Sequence, residues 1–381
     1  MNRIILFLVA FALTLSACSL PDIDSPTQTR SASPCGDGVC SGPENAQNCP
    51  ADCPSTAAPT SSARGLETGA SAAPAVAPGG EAPLFMTTMT HMEQGFTDNR
   101  DQNVFNLHVA QLRYGMDLAD EYGAKLTIES EQPFARANTK WNLNVMAEIL
   151  ERGHGVGTHC DFGFREPAMS VEQYSQLFAG NKALVDALVG AENNLGCSGG
   201  GGANDWATAA SMAGFKYLDG VVGMHYLSMP IEARPDSTWT DEYIRSEGFH
   251  DGAPVDLYQR IYPFMVADGR DFVPDENGVL LVSSGELGAL AMMAEGSRCK
   301  NCLLTNSDVD MLVSLMRAVD QNRERGRVAK LAVYLPANIF AAGNEPVLRY
   351  FFSQMQALAS EGVITWATQK EVYEAYVNWN K

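Results

Sequence analysis

Two short motifs in the sequence combine an imidazole with a carboxylate two residues later. They read His-Met-Glu at positions 91–93 and His-Cys-Asp at positions 159–161, and each follows a run typical of a buried strand. Side chains alternate across a strand, so the histidine and the acid of each motif are expected on one side, with the middle residue pointing away. The structural alternatives are a histidine–carboxylate hydrogen bond that closes a loop and a core histidine with an acidic partner.

Together the motifs supply two imidazoles and two carboxylates, a ligand set suited to a divalent metal of the zinc type. If the two strand ends meet at one mouth of an α/β barrel, the sequence predicts a metal site formed by His91, Glu93, His159 and Asp161. Glu93 or Asp161 could instead act as a general base. His225 follows another predicted strand and is a candidate ligand or catalytic acid, with a plain loop histidine as the alternative.

The elements that must position these residues lie within residues 84–381, where strand-like apolar runs alternate with amphipathic helical runs. Seven or eight such units predict an α/β fold built as a closed or nearly closed (β/α)7-8 barrel. A doubly wound open sheet is the alternative. The pattern also predicts a single helix over 142–152, after a strand at 125–129, and an extended insertion over 224–276.

The charge of the chain indicates which partners it excludes, and its cysteine content indicates the compartment. The chain carries 45 acidic and 26 basic side chains, for a net charge of −19, and such a surface repels nucleic acid. Five of the nine cysteines come before residue 54, a number that fits an oxidising, extracytoplasmic compartment. Cys160 and Cys197 each lie at a predicted strand end and could pair, and Cys299 with Cys302 is expected to form a tight structural disulfide.

Residues 1–17 have a positive start and an apolar segment, and the Leu-Ser-Ala-Cys sequence at 15–18 resembles the lipobox of bacterial lipoprotein signal peptides. The resemblance implies cleavage before Cys18 and lipidation of its thiol, which anchors the protein to the cell envelope. Because Ser19 follows, it also implies the outer membrane if the host is Gram-negative. An ordinary secretory signal with an incidental cysteine is the alternative.

Three segments are predicted between the signal peptide and the barrel. Residues 18–34 are a polar tether, and residues 35–54 form a small module whose four cysteines are expected to make two disulfides. Acidic side chains of the module could chelate calcium, and zinc binding by four thiolates is the alternative. Residues 55–83 are rich in Ala, Pro, Ser and Thr and are expected to be a flexible linker.

The order of elements in residues 84–381 resembles a polysaccharide deacetylase (NodB-type) domain of the glycoside hydrolase/deacetylase barrel superfamily. The sequence GHGVGTH at 153–159 is similar to that family's approach to a metal-binding histidine. Residues 197–200, with Asn204, stand where the family has an Arg-Pro-Pro-Tyr-Gly-like turn. Residues 209–220 are similar to the helix and strand that follow this turn in the family.

The chain departs from the family pattern at three places. Residues 91–93 read His-Met-Glu where the family has paired aspartates, and Gly163 stands in place of a second histidine. Residues 334–337 read Tyr-Leu-Pro-Ala where the family usually offers a catalytic histidine. Carried over residue by residue, the resemblance implies His159 as a metal ligand, with Glu93 or His91 in the place of the acidic motif.

The resemblance implies a hydrolase that uses a divalent metal, zinc foremost, to remove acetyl groups from a polysaccharide or other glycan. Two alternatives stay open on the same fold. One is a glycoside hydrolase that uses two carboxylates, and the other is a non-catalytic carbohydrate-binding or envelope lipoprotein. Stoichiometric metal would distinguish the hydrolase from the non-catalytic protein, and acetate rather than reducing sugar among the products would distinguish it from the glycosidase.

Overall fold

The computed structural model describes residues 80–160, 167–199, 204–220, 231, 238–243, 257–268, 274–287 and 305–379. All of these residues belong to the unit Gly69–Lys381. Several predictions lie outside the described residues: the signal peptide with Cys18, the tether, the Cys-rich module, the linker up to residue 79, Asp161, His225 and the pair Cys299 and Cys302.

The described part of the chain contains nine strands in one sheet. They are β1 (Leu84–Met92), β2 (Thr127–Ser130), β3 (Gly155–His159), β4 (Gly196–Ser198), β5 (Tyr217–Gly220), β6 (Phe264–Val266), β7 (Leu280–Val282), β8 (Ala329–Tyr334) and β9 (Thr365–Trp366). Parallel pairing gives the order β7-β5-β4-β3-β2-β1-β8, with β9 beside the start of β1 and β6 antiparallel to β7.

The seven parallel strands of this order form a closed ring. A parallel bridge joins Glu286, just after β7, to Ala332 of β8. Two hydrogen bonds support it: the Ala332 amide donates to the Gly285 carbonyl at 2.9 Å, and the Leu287 amide donates to the Ala332 carbonyl at 2.9 Å. The predicted α/β barrel is therefore confirmed, with seven parallel strands, and the open-sheet alternative is wrong.

Helices follow the strands around the ring. They are α1 (Gln102–Glu121), α2 (Gln132–Lys140), α3 (Val145–Glu151), α4 (Val171–Val189), α5 (Trp206–Met212), the short α6 (Asp241–Tyr243) and α7 (Leu257–Arg260), α8 (Asn306–Asn322), α9 (Glu345–Ser360) and α10 (Gln369–Trp379). Because each connection returns the chain to the same end of the ring, the carboxyl ends of the parallel strands converge at one mouth.

The helix predicted over 142–152 is one of two short helices, and the first of them, α2, was missed. Pro133 lies in the first turn of α2, where an amide hydrogen would have no acceptor within the helix, so its absence does not destabilise the helix. Asn142 then adopts a φ of 53°, which interrupts the helical path. The Asn144 side chain caps α3 by accepting a hydrogen bond from the Ala147 amide at 3.0 Å.

The predicted insertion over 224–276 also contains regular structure among its described residues. Strand β6 pairs antiparallel with β7, with Met265 opposite Leu281. Gly278, just before β7, allows the chain to approach β6 closely, because a Cβ there would lie 2.6 Å from the Val266 backbone. The polar and aromatic composition of this stretch hid the strand, whose three residues are too short to show a period.

The outward faces of the strands pack against the helices. Met86 and Met92 of β1 and Ile128 of β2 share one buried core with Phe105 and Leu112 of α1. A second buried core lies on the outer side of β4 and β5, beneath α4 and α5. Within the described residues, no helix combines the length and the apolar character that a membrane crossing requires.

The disulfide between Cys160 and Cys197 confirms the predicted pairing. It joins the residue after β3 to the middle of β4, with the two Cα atoms 5.8 Å apart. Both cysteines are fully buried in the second core, together with Phe178 and Trp206. The bond therefore fastens two neighbouring parallel strands on their helix-facing side.

Candidate metal centre

His91, Glu93 and His159 meet at the mouth of the barrel. Each offers one possible ligand atom, and these atoms all lie within 4.8 Å of one another. His91 lies near the end of β1, Glu93 follows that strand, and His159 ends β3. Alternation along β1 brings His91 and Glu93 to the same side, as the spacing predicts.

The His159 ring is oriented by a backbone carbonyl. Its Nδ1 lies 3.0 Å from the Ser198 carbonyl oxygen, and a carbonyl can only accept, so Nδ1 carries the hydrogen. Its Nε2 lies 3.3 Å from Glu93 Oε2. With Nδ1 engaged by the carbonyl, Nε2 is the nitrogen turned toward the Glu93 carboxylate, and it is the atom that could bind a cation together with that carboxylate.

The His91 ring stacks on the His159 ring, with centroids 4.0 Å apart and planes inclined by 18°. Its Nε2 is 2.8 Å from Ser198 Oγ and 3.2 Å from Glu129 Oε2. The Tyr334 ring lies on it at a centroid distance of 4.8 Å. Polar contacts therefore hold the edge of the His91 ring, while its faces pack against two rings.

Glu93 is the most solvent-accessible of the three side chains, with 35% of it exposed against 5% for His159. Burial alone would raise its pKa, but attraction to His159 and His91 and a hydrogen bond from Tyr334 lower that pKa to about 2. The Tyr334 hydroxyl donates to Glu93 Oε1 at 3.4 Å. Glu93 is therefore an anion throughout the physiological pH range.

The three side chains suit a metal ion of the zinc type. Two imidazoles and one carboxylate form a ligand set used by catalytic zinc sites, in which a further position stays open. The stacked imidazoles and the ionised carboxylate meet at a half-open mouth, where solvent can reach Glu93. His91, Glu93 and His159 are thus the described residues that would hold such an ion.

A second set of charged side chains lies inside the barrel, below the mouth. Glu129, Asp219, Glu286 and Lys330 come from four different parts of the ring, and each is at most 1% exposed. Burial raises the pKa of Glu129 and, with repulsion from Glu129, raises that of Asp219 well above its usual value. Burial lowers the pKa of Lys330, and the three carboxylates oppose that change.

Lys330 links this interior set to the wall of the barrel. Its ammonium group donates to the Ser283 carbonyl and, at 2.8 Å, to Gln369 Oε1. Gly157 of β3 leaves room for Glu129, because a Cβ there would lie 3.1 Å from Glu129 Cγ. The interior is thus shaped around charged side chains that no solvent reaches.

The sequence predictions for the site have mixed outcomes. The structure brings His91, Glu93 and His159 together, while Asp161 and His225 lie outside the described residues. Asp219 is a fully buried residue of β5. Three neighbours of the cluster were missed, namely Ser198, Glu129 and Tyr334. The alternation of side chains along their strands would have indicated that they face inward.

No family model and no curated protein matches the chain. Solved structures do match its fold. A PuuE allantoinase is 14% identical, with a TM-score of 0.51, and the match covers 78% of this chain and 91% of that one. A probable polysaccharide deacetylase from Pseudomonas aeruginosa PAO1 is 13% identical, with a TM-score of 0.51, and the match covers 78% and 92%.

A third match is a candidate glycoside hydrolase/deacetylase from Parabacteroides distasonis. It is 12% identical, with a TM-score of 0.50, and the match covers 79% of this chain and 72% of that one. The chain therefore has the deacetylase-like barrel fold that the sequence resemblance implied. At these identities the matches describe the fold, and the chemistry depends on the side chains of the site.

Proposed function

We propose that this protein is a metal-dependent hydrolase that removes acetyl groups from a polysaccharide. The observation that supports the proposal is the cluster of His91, Glu93 and His159 at the carboxyl ends of the barrel strands. The mouth is where barrels of this kind carry their chemistry. The fold shared with a probable polysaccharide deacetylase supports the substrate class.

A zinc-type ion at this cluster would polarise an acetyl carbonyl and lower the pKa of a bound water. Glu93 is better suited to binding the ion than to taking up a proton, because its pKa of about 2 makes it a weak base at neutral pH. The Tyr334 hydroxyl holds Glu93 in place through Oε1. Asp161 and His225 remain the proposed sources of the fourth ligand and of acid or base catalysis.

The rest of the proposal concerns where the protein acts. Lipidation at Cys18 would anchor it in the cell envelope, in the outer membrane of a Gram-negative host, with the barrel facing glycans outside the cytoplasm. The buried disulfide between Cys160 and Cys197 is consistent with an oxidising compartment. Calcium in the Cys-rich module belongs to the same proposal.

The first test is the metal content of the purified protein beside its His159→Ala variant. We expect about one equivalent of zinc or a similar ion in the wild type and a large loss in the variant, because His159 would supply one of few ligands. The matched control is His154→Asn. His154 is also buried and also faces a carboxylate, with Nε2 3.3 Å from Asp120 Oδ1, but it is not part of the cluster.

Acetate release from an acetylated glycan, measured on the same three proteins, then tests the reaction. We expect acetate from the wild type and from His154→Asn but not from His159→Ala. A wild-type protein that binds no metal after reconstitution with zinc would contradict the metal-dependent reaction. Reducing sugar without acetate would indicate a glycoside hydrolase instead.

A further inference from the structure

We propose that Ser198 is a positioning residue that orients both imidazoles of the candidate metal centre. The part of Ser198 in metal binding rests on the proposed function, whereas its contacts with the two rings do not. Ser198 ends β4, is fully buried, and contacts His159 through its backbone and His91 through its side chain. Among the described residues, it is the point at which the hydrogen bonds of the two rings meet.

The first contact determines the tautomer of His159. The Ser198 carbonyl accepts from the Cys160 amide at 2.5 Å and lies 3.0 Å from His159 Nδ1. Because the carbonyl has no hydrogen to donate, Nδ1 must carry one, which leaves Nε2 as the nitrogen able to bind a metal ion. Nε2 is also the atom that lies 3.3 Å from Glu93 Oε2.

The second contact holds the edge of His91. Ser198 Oγ lies 2.8 Å from His91 Nε2. Glu129 Oε2 lies 3.2 Å from the same nitrogen. The Ser198 hydroxyl thus holds the His91 nitrogen that also faces the buried Glu129 carboxylate, and it fixes the rotation of the His91 ring.

Two features keep Ser198 itself in place. The preceding residue, Cys197, is covalently bound to Cys160, which follows His159, so strands β3 and β4 cannot shift relative to each other. In the ladder between these strands, His159 is the direct partner of Ser198. Gly220 of β5 leaves room for the hydroxyl, because a Cβ there would lie 2.2 Å from Ser198 Oγ.

The test compares Ser198→Ala with the wild type and with Ser283→Ala. Ser283 is a matched control because it is 2% exposed, follows β7 at the same end of the ring, and has a hydroxyl without a hydrogen-bond partner in the described part of the chain. Two quantities are measured on each protein: zinc affinity, and the imidazole ¹⁵N chemical shifts of the metal-free protein, which report the tautomers.

We expect His159 Nδ1 to carry a hydrogen in all three proteins, because its partner is a backbone carbonyl that the alanine keeps. The His91 shifts should change in Ser198→Ala alone. Zinc affinity should fall by about 10- to 100-fold in that variant, the usual effect of losing an outer partner of a metal-binding histidine. Ser283→Ala should match the wild type in both measurements.

Unchanged His91 shifts in Ser198→Ala, or a His159 ring whose Nδ1 carries no hydrogen, would overturn the inference. The second of these needs only the wild-type protein, so it holds even if the variant does not fold. If the wild type binds no zinc, the proposed function fails, and the tautomer measurements alone then decide the role of Ser198. Zinc affinity equal in Ser198→Ala and Ser283→Ala would also contradict it.

Discussion

The mouth and the interior of the barrel both combine carboxylates with basic side chains, but they hold their charge in opposite ways. At the mouth, Glu93 is partly exposed and has a pKa of about 2. In the interior, burial raises the pKa values of Glu129 and Asp219. The same chemical group is therefore an anion in one region and is driven toward its neutral form in the other.

The contrast arises from exposure and from the type of basic partner. The imidazoles at the mouth stabilise a carboxylate that solvent still reaches, whereas Glu129 and Asp219 are closed off from solvent and have Lys330 as the buried cation among them. Buried charge is costly unless it is paired. The side chains at the mouth can therefore change their charged partners, for instance by binding a metal ion. Loss of a charged partner in the interior would instead be strongly destabilising.

Replacing Lys330 with methionine should give the largest effect. The substitution keeps an unbranched apolar side chain, slightly shorter than lysine, but leaves the buried carboxylates without their cation, so the free energy of unfolding should fall by about 3–5 kcal/mol. Urea denaturation at pH 7 measures it. Contact of Lys330 with the Ser283 carbonyl and Gln369 would be lost at the same time.

Lys182→Met is the matched control for this substitution. Lys182 is also buried, but its partner Asp186, at 2.8 Å, is a quarter exposed and can be solvated instead. We expect a loss of about 1 kcal/mol or less. Equal losses in the two variants would contradict the view that the interior depends on one cation.

Asp219→Asn should change how stability varies with pH. An acid whose pKa is raised by folding stays protonated in the folded state while the unfolded chain ionises. The folded state then binds more protons, so the stability of the wild type should fall as pH rises above about 4. The asparagine removes this dependence, and urea denaturation between about pH 4 and pH 8 should show a flatter profile.

Glu93 at the mouth should give stability the opposite dependence on pH. Because folding lowers the pKa of Glu93, its contribution to stability is present above the unfolded value of 4.5 and is lost as pH falls toward about 2.

If Asp219→Asn and the wild type lose stability in parallel as pH rises, the interior carboxylates are not held in their neutral form.

Glu93→Gln should have the smallest effect on folding. Because the side chain is about a third exposed, the stability at pH 7 should change by less than about 1 kcal/mol. Zinc affinity should nevertheless fall by at least about tenfold, since a charged ligand is removed. Thermal denaturation and zinc titration measure the two effects.

Glu345→Gln is the control for this variant. Glu345 also accepts a hydrogen bond from a tyrosine, Tyr114, at 2.8 Å, but it lies outside the cluster. It should leave zinc affinity unchanged. Zinc binding by Glu93→Gln that equals the wild type would remove Glu93 from the proposed ligands.

The sequence was informative where the chemistry is local along the chain. Alternation on a strand was enough to predict that His91 and Glu93 share a side, and strand order was enough to predict a barrel. The pairing of Cys160 with Cys197 followed from their places at two strand ends, and the structure confirms it.

Contacts that depend on register between distant strands could not be predicted in this way. Ser198 meets His91 across 107 residues of sequence, and Tyr334 meets Glu93 across 241. Lys330 lies in an apolar run that gives no sign of the buried acids around it. Which side chains meet inside a barrel is decided by the relative shift of its strands, and the spacing within one segment carries no information on that shift.

The disulfide between Cys160 and Cys197 has a consequence for any sample of this protein. Both sulfurs lie on the helix-facing side of their strands, so thiols formed by reduction would not join the imidazoles as additional metal ligands. A chain produced in a reducing cytoplasm and one exported to an oxidising compartment would thus share the same donor atoms but differ in how firmly β3 and β4 are joined. The oxidation state of this disulfide therefore depends on how the protein is prepared. The intact mass of the protein can verify it before the metal content is measured.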